Sequence, residues 1–184
     1  MRRAMLTAFT LRPAADGDVP AITAIYAKAV RTGTASFELD PPDEAEMRRR
    51  LDVVTAFGGP YLVAAGADGG VLGYAYAGAY RTRPAYRFTV EDSIYLAEGA
   101  CGRGIGRALL GRLIAETTAR GFRQMVAVIG DQDNAPSIGL HAAMGFRMVG
   151  SLVSTGWKHG RWLDSVLMQR PLGEGDGLPP PPGR

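Results

Sequence analysis

The sequence feature that points most directly to chemistry is a glycine-rich loop between an apolar strand and a helix. Gly102, Gly104 and Gly106 follow the apolar stretch Ile94-Tyr95-Leu96 by a few residues and precede the run Ala108-Leu109-Leu110. Glycines let the backbone turn sharply and approach a ligand closely, and the first amides of a helix point their N–H groups at an anion. The loop therefore predicts a binding site for a phosphate or pyrophosphate group.

The spacing of these glycines excludes two common nucleotide-binding loops. A dinucleotide-binding loop needs a third glycine three residues after the second, and Arg107 occupies that position here. The phosphate-binding loop of nucleoside triphosphatases needs a glycine followed by Lys and then Ser or Thr, whereas this chain has Gly106-Arg107-Ala108. The anion is therefore expected to belong to another kind of ligand.

Together with a second block, the loop resembles the acetyl-coenzyme A site of the Gcn5-related N-acetyltransferases (GNAT). The family's loop reads Gln or Arg, two residues, Gly, one residue, and Gly or Ala; Gly104 and Gly106 match its glycines, and Cys101 stands in place of Gln or Arg. The second block, residues 134–146, reads as a helix capped by Asn134 and ended by a glycine. In the family this helix lies beside the coenzyme A arm, and His141 takes the position of its tyrosine. We expect Cys101 to weaken acetyl-CoA binding without abolishing it.

The resemblance implies which residues contact acetyl-CoA. The pyrophosphate is expected over the loop amides, and the pantetheine arm along the strand that precedes the loop. The expected contacts are Ile94, Tyr95, Leu96, Gly102, Arg103, Gly104, Ile105, Gly106, Arg107, Asn134 and Ser137.

Glu91 is the first candidate for a catalytic base. Acetyl transfer to an amine requires a neutral nitrogen, so a base must remove a proton, and this chemistry needs no metal. A carboxylate in a partly apolar strand tends to have a raised pKa. A solvent-facing Glu91 paired with an arginine is the alternative, and the residues alone leave both interpretations open.

A closer resemblance favours the catalytic interpretation. Thr89-Val90-Glu91 followed shortly by Tyr95, together with residues 32–38 and 158–164, is similar to the phosphinothricin and methionine sulfoximine acetyltransferase branch. In that branch the glutamate matching Glu91 is the proposed base. The resemblance implies a homodimer and a small amino acid or an analogue as the substrate, acetylated on its α-amino group.

The same resemblance implies an amine pocket. Arginines suit carboxylates and phosphinates because the planar guanidinium gives two parallel hydrogen bonds, although an exposed basic loop is the alternative for Arg81 and Arg83. Phe37 and Glu38 are expected to complete the pocket, across a dimer interface. The expected substrate contacts are Phe37, Glu38, Arg81, Thr82, Arg83, Glu91, Asp92 and Ser93.

Four other residues have weaker interpretations. His141 is a catalytic candidate, as a donor of a proton to the departing thiolate, or a histidine with a packing or surface role. Cys101 has no histidine near it in the sequence, so we expect direct transfer and no acyl-cysteine. Trp157 and Trp162 are expected in the core or at a dimer contact, and His159 is assigned no role.

Hydrophobic periodicity predicts an order of strands and helices that fits the GNAT fold. The resemblance implies that fold, an α/β (mixed α+β) domain with a central mixed twisted sheet flanked by helices. The domain is expected over residues 10–172, followed by a Gly/Pro-rich disordered tail at residues 173–184. The predicted strands are residues 9–12, 61–67, 71–79, 87–96, 125–129, 146–154 and 163–170, with two helices after the first strand, one after the glycine loop and one after Asn134.

Composition limits the remaining possibilities. The chain has 184 residues, a net charge of +3 and one cysteine, which excludes an internal disulfide. Its Lys and Arg residues are scattered, so we expect no nucleic-acid partner. The amino-terminal residues lack an apolar stretch of signal-peptide length, and no segment is long enough to span a bilayer, so we expect a cytoplasmic protein without membrane contact.

Two other functions stay open at this point. A protein or peptide N-acetyltransferase of the same fold would favour an acidic groove over the basic loop at Arg81 and Arg83. A non-catalytic acetyl-CoA-binding module would not need Glu91, although the altered Cys101 position is compatible with one.

Overall fold

A computed structural model describes residues 8–180 as one seven-stranded sheet with helices on both faces. The strands are β1 (Phe9–Pro13), β2 (Tyr61–Gly66), β3 (Val71–Ala79), β4 (Thr89–Leu96), β5 (Gln124–Gly130), β6 (Arg147–Lys158) and β7 (Arg161–Pro171). The helices are α1 (Val19–Thr32), α2 (Glu44–Ala56), α3 (Ile105–Ala119) and α4 (Ala135–Ala143). This confirms the predicted order of elements.

The sheet is mixed, because one of its strand pairs is parallel. The strands lie side by side in the order β1-β2-β3-β4-β5-β7-β6, and β4 and β5 run parallel while the other neighbours are antiparallel. A parallel connection needs a crossover, which α3 provides between β4 and β5.

Helix α3 covers one face of the sheet. Leu109, Leu110 and Leu113 are spaced to share one side of the helix, and all three are fully buried against Val90 of β4 and Met125 of β5. Burial of a leucine side chain stabilises a fold by roughly 1.5–3 kcal/mol, so this helix fixes the strands on both sides of the parallel pair.

Helices α1 and α2 cover the opposite face. Ile22, Tyr26 and Val30 of α1 recur every four residues, and each is buried in a second core. That core also contains Met47, Leu51 and Val54 of α2 and Val63 and Tyr74 of the hairpin. The two faces therefore differ, because the α1–α2 face is rich in tyrosine rings.

Strands β4 and β5 pair over only part of their length. Thr89–Asp92 pair with Gln124–Ala127, and after this point β4 continues beside β3 while β5 continues beside β7. The sheet is thus open between residues 93–96 and residues 128–130.

Three boundaries differ from the sequence prediction. β4 begins at Thr89, because Pro84–Tyr86 form a 3₁₀ turn. β6 and β7 reach the two-residue turn His159-Gly160, in which both residues have positive φ. As a result Trp157 and Trp162 face each other on an exposed hairpin, and the expectation that they lie in the core is wrong for this chain.

The Asp18 side chain does not cap helix α1. It occupies the position before α1, but its carboxylate accepts hydrogen bonds from the Arg12 guanidinium and the Ala15 amide. The Arg12 hydrogen bond outweighs burial and lowers the pKa of Asp18. The residue therefore joins β1 to the turn that precedes the helix.

The described part of the tail forms turns. Gly175 and Gly177 donate backbone hydrogen bonds to Leu172 and Glu174, and the Arg123 side chain donates to the Pro179 carbonyl. Residues 181–184 of the predicted disordered tail, and residues 1–7, lie outside the described part. Within residues 8–180, no helix has the length and hydropathy that crossing a membrane requires.

Candidate active site

The opening between β4 and β5 offers an unpaired strand edge. Residues 93–96 pair with β3 on one side, whereas β5 has diverged on the other. A small cavity of about 50 Å³ lies at this opening, and its walls include Asp92, Ser93, Tyr95, Ile129, Asn134 and His141. Free backbone groups along a strand edge can bind an extended ligand that carries amides of its own.

The glycine loop forms one end of a larger cleft of about 440 Å³. Gly102 and Gly104 have φ of 74° and 79°, and Gly104 is the residue directly before α3. This conformation is strained for residues with a Cβ atom and turns the first amides of α3 outward. The Nε of Arg103 is buried without a hydrogen-bond partner among the described residues, so the loop lacks an acceptor such as a phosphate oxygen would supply.

Helix α4 forms another wall of this cleft. The Asn134 side chain accepts a hydrogen bond from the Ser137 amide at 3.3 Å, as an N-cap does, and Pro136 lies in the first turn. Asn134 and Ser137 line both the small cavity and the larger cleft. Helix α4 therefore connects the glycine loop with the opening of the sheet.

His141 lies on the buried side of α4 and contacts β4. Its Nε2 is 3.0 Å from Asp92 Oδ2, its Nδ1 is 2.8 Å from the Ser137 carbonyl oxygen, and the Phe146 ring packs edge-on against it. Burial alone would lower the pKa of His141, but the hydrogen bond and charge of Asp92 together with the Ser137 carbonyl raise it overall. The imidazole is therefore protonated more readily than an ordinary histidine.

Glu91 points to the opposite face of β4, because successive strand residues alternate. It is half-buried beside the tyrosine-rich core, and its strand partner on β3 is Gly78, which leaves space over the carboxylate. Burial raises the pKa of Glu91, the charge of Arg81 opposes this and the charge of Asp92 adds to it, with a raised pKa as the result. Glu91 is thus a carboxylate suited to accept a proton.

The loop at residues 81–83 lies at the surface near Glu91. Arg81, Thr82 and Arg83 are all exposed, and the Arg81 guanidinium lies 4.4 Å from the centre of the Tyr80 ring. Arg83 precedes the turn that leads into β4. The Arg81 guanidinium also donates to the Tyr80 carbonyl, and its charge acts on Glu91.

The segment between α1 and α2 is held against the end of the sheet. The buried Lys158 Nζ donates to the Ser36 carbonyl at 2.6 Å, and the Phe37 ring fills the space over Gly156, where a Cβ atom would lie 2.6 Å from the ring. Glu38 accepts hydrogen bonds from Tyr26 and Arg50. Phe37 and Glu38 thus make these contacts within their own chain.

The family follows from comparison with known proteins. A family model described as the acetyltransferase (GNAT) family matches residues 22–146. The chain belongs to the GNAT family. The match includes most of α1, the other three helices, the opening of the sheet and the glycine loop, so the resemblance inferred from the motifs is confirmed.

Individual GNAT relatives are similar over nearly the whole chain. Phosphinothricin N-acetyltransferase from Alcaligenes faecalis is 59% identical over 169 residues, which are 92% of this chain and 85% of the relative. L-methionine sulfoximine/L-methionine sulfone acetyltransferase from Pseudomonas aeruginosa is 42% identical over 87% of this chain and 92% of its own.

A solved GNAT structure matches the fold closely. The phosphinothricin acetyltransferase of Sinorhizobium meliloti, crystallised in complex with AcCoA, has a TM-score of 0.93 and 53% identity, covering 95% of this chain and 94% of its own. The predicted fold class is thereby confirmed, and the chain is an N-acetyltransferase.

One grouping of site residues needs correction. Asp92 was expected to contact the amine together with Glu91 and Ser93. Because successive strand residues alternate, Asp92 points to the face of β4 opposite Glu91, where it contacts His141. The surface alternative for His141 is also wrong, since the residue is 2% exposed.

The sequence motifs did not indicate a cluster of tyrosines that lies beside Glu91. Tyr76 contacts Ser93 through its hydroxyl and stacks on Tyr61 with ring centres 4.9 Å apart, while the hydroxyls of Tyr61 and Tyr74 are buried without a hydrogen-bond partner among the described residues. Burial raises the pKa of these phenols, so they stay neutral. The alternation of Tyr74 and Tyr76 along β3 was a signal that they share one face.

Lys158 was missed as well, and it offers a test of how the α1–α2 segment is held. Lys158→Met should lower the free energy of unfolding by about 1–3 kcal/mol, because the Ser36 carbonyl would lose its buried donor. Urea unfolding measures this loss. Lys28→Met is the matched control, because Lys28 pairs with Glu98 at the surface and its removal should change stability little. Equal losses in the two variants would contradict the account.

Proposed function

We propose that this GNAT enzyme transfers the acetyl group of acetyl-CoA to the α-amino group of phosphinothricin, methionine sulfoximine, methionine sulfone or a similar small amino acid. The observation that carries the proposal is that His141 contacts one face of β4 and borders the cavity at the opening of the sheet, while Glu91 points to the opposite face of the same strand. The names of the relatives from Alcaligenes faecalis and Pseudomonas aeruginosa support the substrate class.

The chemistry of the cleft suits acetyl-CoA. The amides of residues 102–107 and the Arg103 side chain would hold the pyrophosphate, and the open edge at residues 94–96 would pair with the amide-bearing pantetheine arm. Asn134 and Ser137 lie along the same path. Acetyl-CoA supplies the acetyl group as a thioester when it is bound.

Glu91 is the proposed base for the amine. An α-amino group has a pKa of about 8, so part of it is protonated at neutral pH and cannot attack a carbonyl carbon. The half-buried Glu91 carboxylate accepts that proton directly or through one water. Its raised pKa makes it a stronger base than an exposed glutamate.

His141 is the proposed proton donor for the sulfur that leaves. It lines the cavity at the opening of the sheet, which is where a thioester at the end of the pantetheine arm would lie. A thiol of this kind has a pKa near 8.5 by analogy with cysteine, so a protonated imidazole is a suitable donor.

The acid end of the amino acid is assigned to Arg81 and Arg83. Both residues are exposed in the loop between β3 and β4, and the charge of Arg81 acts on Glu91. Bidentate pairing with a carboxylate or phosphinate would orient the α-amino group toward Glu91. Thr82, Phe37, Glu38 and Ser93 are proposed to complete the pocket.

Transfer is proposed to be direct. Cys101 lines the glycine-loop end of the large cleft and does not border the small cavity at the opening of the sheet. An acyl-cysteine would require the thiol to reach the thioester, and a general base beside it. The amine therefore attacks the acetyl carbon without a covalent enzyme intermediate.

A panel of amines tests the proposed substrate class. Release of the coenzyme A thiol should show kcat/KM at least tenfold higher for phosphinothricin or methionine sulfoximine than for peptides with a free amino terminus or for polyamines. Arg83→Ala should reduce that preference by raising KM for the acidic amines. A preference for peptides would favour a protein N-acetyltransferase, and binding of acetyl-CoA without turnover of any amine would favour a non-catalytic module.

We also propose that the enzyme is a homodimer and works in the cytoplasm. The edge strand β6 and its hairpin expose apolar side chains, which in a monomer would face water: Met148, Val149, Leu152, Val153, Trp157 and Trp162. Contiguous apolar surface on an edge strand is typical of a subunit contact. The exposed free thiol of Cys101 is compatible with a reducing compartment.

Trp157→Lys should convert the dimer to a monomer. The indole is 56% exposed and packs edge-on against Trp162 with ring centres 5.3 Å apart, so a lysine there would place a charge in the contact. Analytical ultracentrifugation at micromolar concentration measures the change. Val53→Lys on α2 is the control, because Val53 is also exposed but lies away from β6. A monomeric wild-type protein, or a Trp157→Lys dimer, would contradict the proposal.

A further inference from the structure

Both ring nitrogens of His141 face hydrogen-bond acceptors. Nδ1 lies 2.8 Å from the Ser137 carbonyl oxygen, which can only accept, and 3.4 Å from the Ser137 hydroxyl. The shorter contact, to the carbonyl, places a proton on Nδ1. Nε2 lies 3.0 Å from Asp92 Oδ2, and an ionised carboxylate can also only accept. With a proton on both ring nitrogens, His141 is an imidazolium cation paired with the Asp92 carboxylate.

This pair is shielded from water. The side chain of His141 is 3% exposed and that of Asp92 is 1% exposed. Of the charged groups on the elements around the imidazole, Asp92 is the one that contacts it. Glu91 points to the other face of β4. The Arg170 guanidinium of β7 lies 6.0 Å from the centre of the Phe146 ring, which packs on the imidazole. In such surroundings a charged imidazole persists only beside an opposite charge.

The second oxygen of Asp92 has no partner. Oδ1 is buried and accepts no hydrogen bond from any described residue. Asp92 and His141 both border the small cavity of about 50 Å³ at the opening of the sheet, which has room for water. The carboxylate is thus fixed at the imidazole through one oxygen, and its other oxygen is free to hold a water in that cavity.

We propose that Asp92 is a positioning residue for acetyl transfer, which keeps both nitrogens of His141 protonated and so keeps a proton ready for the departing sulfur. This inference rests on the proposed function, in which His141 is the donor. As the C–S bond breaks, its electron pair goes to sulfur, Nε2 gives up its hydrogen bond to Asp92 Oδ2 and passes its proton to the sulfur, and a neutral imidazole protonated on Nδ1 is left. A proton from water then restores the imidazolium.

The role of the carboxylate follows from the acidity of an ordinary histidine. With a pKa near 6.5, an isolated imidazole is mostly neutral at physiological pH, and burial would make it more so. Asp92 reverses this, since the net effect of its contact is a raised pKa for His141. Asp92 therefore raises the fraction of enzyme molecules in which His141 carries the proton that it donates.

Asp92→Asn in the full-length enzyme tests the inference with two readouts. The asparagine amide can donate to Nε2 and keep the contact, so His141 should become neutral at pH 7. NMR titration of the enzyme without ligand should show His141 titrating above the ordinary histidine pKa of about 6.5 in the wild type, and below it in the variant. The chain has two histidines, so His159→Gln assigns the signals.

The kinetic readout separates positioning from a structural role. Asp92→Asn should lower kcat at least tenfold, leave the affinity for acetyl-CoA unchanged and move the alkaline fall of the rate to lower pH. His141→Gln should lose at least as much, and adding Asp92→Asn to it should cost no further rate.

The outcomes are distinguishable from failure of the proposed function. If His141→Gln is slow but the titration of His141 is unchanged in Asp92→Asn, the role of Asp92 is wrong and the donor role of His141 stands. A fully active His141→Gln enzyme would overturn the donor role as well. A neutral His141 in the wild type at pH 7 would overturn the inference even if Asp92→Asn failed to fold.

Discussion

Glu91→Gln should lower kcat by about a hundredfold or more, with the affinity for acetyl-CoA unchanged, because general base catalysis typically contributes that much. Glutamine has nearly the same shape, and the residue lies over Gly78 with space around it, so the strand should keep its position. Steady-state kinetics with a saturating amine measures kcat, and calorimetry measures the affinity. Glu44→Gln, which changes an exposed carboxylate at the start of α2, is the matched control and should be fully active.

The pH dependence of the same variant tests the cause of the loss. Burial raises the pKa of Glu91 above its ordinary value of 4.5, so the wild-type rate should rise with pH as this group ionises, and the variant should lack that limb. The native state also binds this proton more tightly than the unfolded chain, so stability falls as pH rises from 4.5 toward the raised pKa. At neutral pH Glu91→Gln should therefore be at least as stable as the wild type. A variant with the wild-type rate and pH profile would show that Glu91 is a strand residue without a catalytic role.

Gly104→Val should weaken acetyl-CoA binding at least tenfold while the protein stays folded. Gly104 has φ of 79°, and this left-handed conformation costs a residue with a Cβ atom roughly 1–2 kcal/mol, most for a β-branched one. The loop must therefore shift, and the amides at the start of α3 lose the direction they need for the pyrophosphate. Isothermal titration calorimetry with acetyl-CoA measures the loss.

Gly99→Val separates backbone strain from the loss of the binding site. Gly99 has φ of 73°, and no atom lies within 4 Å of the position where its Cβ would be, as at Gly104. It does not line the large cleft. This variant should lose stability to a similar extent but bind acetyl-CoA nearly as well as the wild type. Equal losses of affinity in both variants would contradict the assignment of the glycine loop.

The sequence predicts most of the fold because the relevant signals are local. The spacing of Leu109, Leu110 and Leu113 and the glycine after the helix define α3, and the apolar run of β5 marks a central strand. The ends of the β6–β7 hairpin were less predictable. Trp157 and Trp162 have large apolar side chains, which are typical of a core. They are exposed because β6 and β7 extend past the core before the hairpin turns.

The site was predictable where it depends on backbone conformation and less so where it depends on distant contacts. The glycine loop and the N-cap at Asn134 can be read from a few neighbouring residues. The His141–Asp92 contact joins residues 49 positions apart, and the Lys158–Ser36 contact joins residues 122 positions apart, so neither has a local signal. The opposite directions of Glu91 and Asp92 did have one, because adjacent residues of a strand must point to opposite faces.

Direct transfer of the acetyl group from acetyl-CoA to the α-amino group of the substrate is tested most directly by following a labelled acetyl group. Acetyl-CoA carrying ¹³C in its acetyl group should be mixed with the enzyme and phosphinothricin or methionine sulfoximine, and the label followed by NMR. The account predicts that the label passes from the thioester to an amide on the α-nitrogen of the amino acid, in wild type and Cys101→Ala alike. Label that remained on the thioester, or that accumulated on the protein at Cys101 with turnover lost in Cys101→Ala, would contradict it.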